Sequence, residues 1–125
     1  MMQRISIAGV ALAVGLTMAQ AAAAQAGDAA KGKEAFEDRC SMCHQPGGGG
    51  MGPNLAGVVG RKAGTAPGFH YSAALAGSGL TWTAANLDRF LAGPSKLVPG
   101  TAMMVVISVP AQRADLIAYL ASWKR

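Results

Sequence analysis

Cysteine and histidine are scarce in this chain, which contains 2 of each among its 125 residues. Both cysteines, Cys40 and Cys43, and one histidine, His44, lie close together in the sequence. A structural zinc site needs a complete set of four ligands, and only His70 and scattered carboxylates remain to complete it. A thioredoxin-like disulfide would need a strand–helix–strand context, which the surrounding sequence does not provide. Zinc binding and dithiol redox chemistry are therefore disfavoured.

Charged residues are also few, at 14% of the chain. The 11 lysines and arginines outnumber the 6 aspartates and glutamates, but the basic residues are dispersed and form no stripe with interleaved aromatic residues. A nucleic-acid interface would require such a basic cluster. The modest excess of positive charge instead predicts weak electrostatic steering toward an acidic partner surface. The sequence therefore excludes nucleic acid as a partner.

Sustained alternation of apolar and polar residues, the mark of a β-strand, is absent after residue 26. Residues 103–109 form the only apolar run rich in β-branched residues, and it is short. Helical signals are clearer. Asp28 suits the start of a helix that runs toward Cys43, Thr83 can cap a helix over residues 84–92, and Pro110 can open a last one. A chain of this length forms one domain at most, and these patterns predict an all-α fold.

The N-terminal segment has the pattern of a secretory signal peptide. Arg4 gives a short basic start, residues 5–18 are apolar, and Ala24-Gln25-Ala26 provides a cleavage site before Gly27. We therefore expect a cleavable signal over residues 1–26 and a mature domain over residues 27–125 in the periplasm. An uncleaved anchor is the alternative, because residues 5–24 approach the length of a membrane span.

Glycine is abundant, with 17 residues, and much of it falls in an irregular stretch over residues 45–71. Gly47 to Gly52 contains a G-x-G-x-x-G match, but no strand precedes it and no helix follows, so it does not predict nucleotide binding. A structureless stretch of this length is unusual in a compact domain. A bound flat cofactor would give such a loop a surface to wrap.

The residues Cys40-Ser41-Met42-Cys43-His44 form a Cys-x-x-Cys-His motif, the attachment site of a c-type haem. Two thiols three positions apart lie on one side of a helical turn, about 5 to 6 Å apart at Cβ. They can add there to the two vinyl groups on one edge of a porphyrin, and His44 then points at the iron. The motif predicts one covalently bound haem c.

Around this motif the chain resembles class I cytochrome c, of the mitochondrial type and the bacterial cytochrome c2 branch. The resemblance covers Gly27 to Trp123. It rests on the following residues: Gly27-Asp28, Lys31-Gly32-Lys33, Phe36, Cys40 to His44, Gly52-Pro53-Asn54-Leu55, Gly60-Arg61-Lys62, Ala66-Pro67-Gly68-Phe69, Tyr71, Trp82, Val98-Pro99-Gly100-Thr101, Met103 and Asp115-Leu116-Ile117-Ala118-Tyr119-Leu120. It implies the cytochrome c fold, with three main helices plus short helices and loops wrapped around the haem.

The resemblance also implies roles for individual residues. Met103 is the second axial ligand beside His44, and the carbonyl of Pro53 orients His44. Gly32 and Phe36 pack against Leu116 and Tyr119. A haem propionate is held by Arg61, Tyr71 and Trp82. Thr101 also contacts the cofactor.

With both axial positions filled, the expected function is one-electron transfer and not catalysis. The resemblance implies a monomeric periplasmic carrier that is not stably inserted in the membrane after signal removal. Its partners would be a quinol–cytochrome c reductase type donor and an oxidase-type or reaction-centre acceptor. Two alternatives remain open: a dedicated partner of one periplasmic dehydrogenase, and a haem enzyme or gas sensor in which Met103 does not bind iron.

The chain also departs from its relatives around the expected haem edge. Leu75 and Phe90 stand where many relatives carry Asn and Tyr, and Ala102 stands where they carry Lys. These changes remove polar groups from the usual network near Met103 and a cation from the usual basic docking ring. We expect instead a weakly charged docking face with the following members: Arg39, Lys96, Met42, Val98 and Ala102.

Overall fold

The computed structural model describes residues 26–124. The predicted signal peptide lies outside the described residues except for its last position, and its cleavage stays a prediction. Within these residues the regular structure consists of five helices: α1 (Ala29–Arg39), α2 (Ala73–Ala76), α3 (Ala84–Ala92), α4 (Pro94–Leu97) and α5 (Pro110–Ser122). The described part contains no β-strand, only an isolated bridge between Lys62 and Thr81. The predicted all-α class with three main helices is confirmed.

Helix α1 begins where the sequence predicts. The carboxylate of Asp28 accepts hydrogen bonds from the backbone N–H groups of Ala30 and Lys31 at 2.9 and 3.1 Å, which satisfies donors that the first turn leaves unpaired. Regular helix ends at Arg39, earlier than expected. Beyond it the chain continues as turns up to Cys43.

Helices α1 and α5 cross at close range, and the crossing depends on Gly32. A Cβ atom added at this position would lie 1.9 Å from the carbonyl oxygen of Asp115 and 2.9 Å from Cβ of Tyr119. Next to this contact the ring of Phe36 lies 5.4 Å from that of Tyr119. It is also 5.4 Å from the ring of Trp123. The predicted packing of Gly32 and Phe36 against α5 is present.

Helix α3 has the predicted cap and the predicted buried face. The hydroxyl of Thr83 accepts from the N–H of Asn86 at 3.1 Å. The face of α3 that points into the core consists of Leu87, Phe90 and Leu91. Gly93 ends the helix, but Pro94, which the sequence suggested as part of a stop, is the first residue of α4. Proline is compatible with a first helical turn because the N–H it lacks would be unpaired there.

The loops supply much of the remaining framework. The backbone of residues 60–63 pairs with that of residues 80–82: Trp82 donates to Arg61 O at 2.8 Å, and Gly60 donates to Trp82 O at 2.8 Å. At the centre of the core Ile107 and Leu116 are each 1% exposed. Among residues 26–124, none of the helices has the length and apolar character needed to span a bilayer.

Candidate functional site

A cavity of about 350 Å³ lies between the Cys-His turn, α3, α5 and the chain before Ile107. Its walls contain every residue that the sequence singled out for cofactor or metal binding: Cys40, Cys43, His44, Pro53, Arg61, Tyr71, Trp82, Thr101 and Met103. These residues are up to 63 positions apart in sequence, and all of them come from turns and loops between the helices. The fold therefore brings the predicted set together around one space.

The end of α1 positions the two thiols. The N–H of Cys40 donates to Phe36 O at 2.8 Å, and the N–H of His44 donates to Cys40 O at 2.9 Å, so the turn continues the helix direction into the cavity. Both cysteines are unbridged and partly buried. Burial raises the pKa of the Cys40 thiol above its ordinary value. Both thiols are thus held at the cavity wall with no disulfide between them.

The imidazole of His44 is fixed by the backbone of the following loop. Its Nδ1 lies 2.8 Å from the carbonyl oxygen of Pro53, and because a carbonyl only accepts, Nδ1 carries the proton. Burial lowers the pKa of His44, and the bond to Pro53 opposes part of that effect. The neutral ring then presents Nε2 as a lone-pair donor, the form in which histidine binds metals.

Met103 and its neighbour Met104 have different environments. Met103 is half-buried and packs against the core, whereas Met104 is 79% exposed. Thr101, two residues earlier, is buried, and its N–H donates to Val98 O at 3.0 Å. A fixed turn therefore precedes Met103. Both methionines border the cavity, and Met103 is the one that packs against the core.

Hydrogen-bond donors gather along another part of the wall. Arg61 donates to Ala56 O at 3.2 Å and to Asn54 O at 3.1 Å, which holds its guanidinium in place. The hydroxyl of Tyr71 accepts from the N–H of Ala66 at 3.0 Å, so its own proton is available to an acceptor. Arg61 also borders a more open cleft of about 560 Å³ along the Gly47–Gly50 loop. This polar corner suits a carboxylate that reaches the edge of the cavity.

The donor set and the lining fit a haem. Thiols, an imidazole and a thioether project from a wall that is otherwise largely apolar, as a porphyrin face requires. Sequence reasoning missed several of the apolar wall residues, including Leu55, Val58 and Val105. Their loops show no periodicity that would have identified them. In the described part of the chain, no three His, Cys, Asp or Glu side chains group as a metal site would need.

The prediction that Val98 belongs to the docking face is wrong. Val98 is 5% exposed and packs in the core, so it cannot contact a partner. The backbone after α4 turns it inward, where its N–H also bonds Pro94 O at 2.9 Å. Arg39, Lys96 and Ala102 are exposed, and Met42 is 85% exposed. Beside them Met104 and Val106, which the sequence did not single out for this face, are exposed as well.

Comparison with known proteins gives a consistent set of relatives. The family model described as Cytochrome c matches residues 29–124. A cytochrome c2 from Rhodomicrobium vannielii is 46% identical over 125 aligned residues, which cover 97% of each chain. Among solved structures, cytochrome cH from Methylobacterium extorquens has a TM-score of 0.73 at 51% identity and covers 77% of this chain and 99% of its own. The ferricytochrome c2 of Rhodopseudomonas palustris has a TM-score of 0.73 at 40% identity, with 78% and 99% covered.

Proposed function

The chain belongs to the cytochrome c family, and from that premise we propose that it shuttles single electrons in the periplasm between two membrane complexes. Family membership establishes the coarser statement that it is a cytochrome c2-type electron carrier with covalently attached haem c, and not an enzyme. The finer proposal names a quinol-oxidising complex as donor and a terminal oxidase or reaction centre as acceptor.

The observation that carries the proposal is the presence of His44 and Met103 on the wall of one cavity. Haem c, when bound, supplies an iron that accepts and releases one electron. Met103 would contribute a soft, neutral thioether that favours the reduced metal, and His44 would contribute a neutral imidazole. If His44 and Met103 both held the iron, they would leave no open position for oxygen or a substrate.

The other wall residues would hold the group in place. Cys40 and Cys43 would form the two thioether bonds, which also removes both free thiols in an oxidising compartment. Arg61, Tyr71 and Trp82 are hydrogen-bond donors, and a buried propionate needs donors without a competing negative charge. None of these side chains is required to move a proton, which suits transfer of an electron alone.

The ligand assignment is tested by replacing the two adjacent methionines one at a time. We expect Met103→Ala to abolish the methionine–iron charge-transfer band of the ferric protein and to let the ferrous protein bind carbon monoxide. Met104→Ala should leave both properties unchanged, because Met104 is 79% exposed. The reverse pattern would assign the ligand to Met104. Carbon monoxide binding by the unaltered ferrous protein would favour the haem enzyme or gas sensor.

The pathway is tested with isolated membrane complexes and with the cell's own periplasmic dehydrogenases. We expect reduction by the quinol-oxidising complex and oxidation by the terminal acceptor at comparable rates. Rapid reduction by a single dehydrogenase, with none by the quinol-oxidising complex, would identify a dedicated partner instead. The predicted signal cleavage is tested separately. Mass spectrometry of the periplasmic protein should find Gly27 as the first residue.

A further inference from the structure

The segment that carries Met103 is fixed at its two ends. On one side Thr101 is buried and its N–H bonds Val98 O at 3.0 Å. On the other side Ile107 is 1% exposed, and its N–H bonds Leu91 O of α3 at 2.8 Å. Met103 therefore lies in a short span between two anchors.

The span itself has little support from hydrogen bonds. Within the described residues, positions 102–106 take part in one hydrogen bond, from Nη2 of Arg39 to Val106 O, and at 3.5 Å it is long. The side chains of Met104 and Val106 are exposed. Segments with few backbone bonds and exposed side chains open locally at low free energy. The free energy needed to open the span, and so to displace Met103, then depends on the two anchors.

Arg113 of α5 holds the second anchor. Its Nη1 donates to Ile107 O at 2.9 Å and to Ser108 O at 3.1 Å. Its Nε donates to a carboxylate oxygen of Asp88 on α3 at 2.7 Å. The side chain of Arg113 is only 12% exposed, and that of Asp88 is 46% exposed. One guanidinium thus joins α5, α3 and the carboxyl end of the Met103 segment.

We propose that Arg113, oriented by Asp88, is a positioning residue that sets how often Met103 leaves the iron. The inference rests on the proposed ligation by Met103. Two of the three side-chain bonds of Arg113 go to the carbonyls of Ile107, the second anchor, and of Ser108 next to it, so its role is not limited to pairing α3 with α5. Charge-assisted bonds from a planar fork hold two carbonyls in a fixed direction, which a lysine could not reproduce.

The test measures imidazole binding to the ferric holoprotein at one neutral pH. Imidazole can bind only where Met103 has departed, so its apparent affinity scales with the open fraction. The variants are Arg113→Gln, Arg113→Lys and Asp88→Asn. Glu37→Gln is the matched control, since it removes the other ion pair of the described chain, with Lys33, far from this segment in sequence.

For Arg113→Gln we expect imidazole affinity to rise about tenfold, equivalent to about 1.4 kcal/mol. Arg113→Lys should give a smaller rise. Asp88→Asn should raise it about two- to threefold, because a half-exposed partner contributes less and asparagine can still accept the bond. Hydrogen exchange at the Ile107 amide should quicken in the same order, and Glu37→Gln should match the unaltered protein in both measurements.

Two results would overturn the inference in distinguishable ways. If all three variants keep the imidazole affinity and Ile107 exchange of the unaltered protein, Arg113 does not control the segment, although the ligation stands. If the unaltered protein binds imidazole at a rate that rises without limit as imidazole increases, the iron position is already open. The proposed ligation then fails together with the positioning role. Should Arg113→Gln not fold, Arg113→Lys with an imidazole affinity and an Ile107 exchange rate equal to those of Glu37→Gln would be sufficient to reject the role.

Discussion

At the scale of single residues, the backbone at Gly52 touches the ring of His44. A Cβ added there would lie 2.6 Å from Cε1 and 2.7 Å from Nδ1 of the imidazole. We expect Gly52→Ala to push the ring away from Pro53 O and to destabilise the protein by about 1 to 3 kcal/mol, the usual cost of overpacking. Urea unfolding of the holoprotein and the intensity of the methionine–iron band measure the two consequences.

Gly77→Ala is the control for this substitution. At Gly77 the nearest atom to an added Cβ is Ala73 O at 3.2 Å, outside the cavity wall. Gly77→Ala should leave both the methionine–iron band and the free energy of unfolding nearly unchanged. Equal effects of the two substitutions would mean that the contact with His44 has no special weight.

The thiols and His44 could be identified at this scale because their chemistry is local, and the Cys-x-x-Cys-His spacing depends only on helical geometry. Met103 was identified through the resemblance to class I cytochrome c. The surroundings of Phe90 could not be predicted from residue type. Its ring packs 4.9 Å from that of Trp82, a contact that depends on how α3 meets the loop before it. Val98 was assigned to the docking face wrongly because the turn of the backbone after α4, which residue type does not show, directs its side chain inward.

At the scale of elements, the crossing of α1 and α5 should reverse the usual effect of a glycine-to-alanine substitution on the free energy of unfolding. Replacing glycine by alanine inside a helix ordinarily stabilises it by about 0.5 to 1 kcal/mol. At Gly32 the added Cβ would meet Asp115 O at 1.9 Å, so the helices must move apart. We expect Gly32→Ala to lower the free energy of unfolding by about 2 to 4 kcal/mol, since the Phe36 and Tyr119 contact would also loosen.

Equilibrium unfolding by urea of Gly32→Ala and of the exposed Lys31→Ala on the same helix would measure this effect. Lys31→Ala should stay within about 0.5 kcal/mol of the unaltered protein. A stabilised Gly32→Ala protein would mean that α1 and α5 do not pack at this point.

Long periodic elements were predictable, and short ones were not. Helix α3 has a capping residue, Thr83, and α5 opens with Pro110. Both helices also have repeated apolar positions that a sequence displays. Helices α2 and α4 have 4 residues each, too few for a periodic pattern to emerge. The end of α1 was placed too late because Cys40 to Cys43 keep a helix-like course of turns without continuing the regular helix.

At the scale of the whole molecule, the surface beside the cavity is sparsely charged. Arg39 and Lys96 are the exposed cations of the docking face, and Arg39 already contacts Val106 O. Around them Met42 is 85% exposed and Met104 79%. An isolated exposed ion pair contributes at most about 1 kcal/mol. Methionine, by contrast, offers a flexible apolar contact that suits partners of varied shape.

This balance predicts that association with a redox partner depends little on salt. Raising ionic strength from about 0.01 M to about 0.15 M shortens the screening length from about 30 Å to about 8 Å. A strongly steered pair loses up to about a thousandfold in association rate, whereas we expect a loss of less than about tenfold here. Stopped-flow electron transfer with a quinol-oxidising complex at the two ionic strengths measures it.

Substitutions on the same face separate the two contributions. Arg39→Gln and Lys96→Gln should each slow association by less than about threefold at low salt, since each removes one screened charge. Met42→Gln and Met104→Gln should leave association nearly unchanged and speed dissociation, because apolar contact forms after encounter and is lost only on separation. A steep salt dependence, abolished by Lys96→Gln and unaffected by either methionine change, would show that charge and not apolar contact directs this protein to its partners.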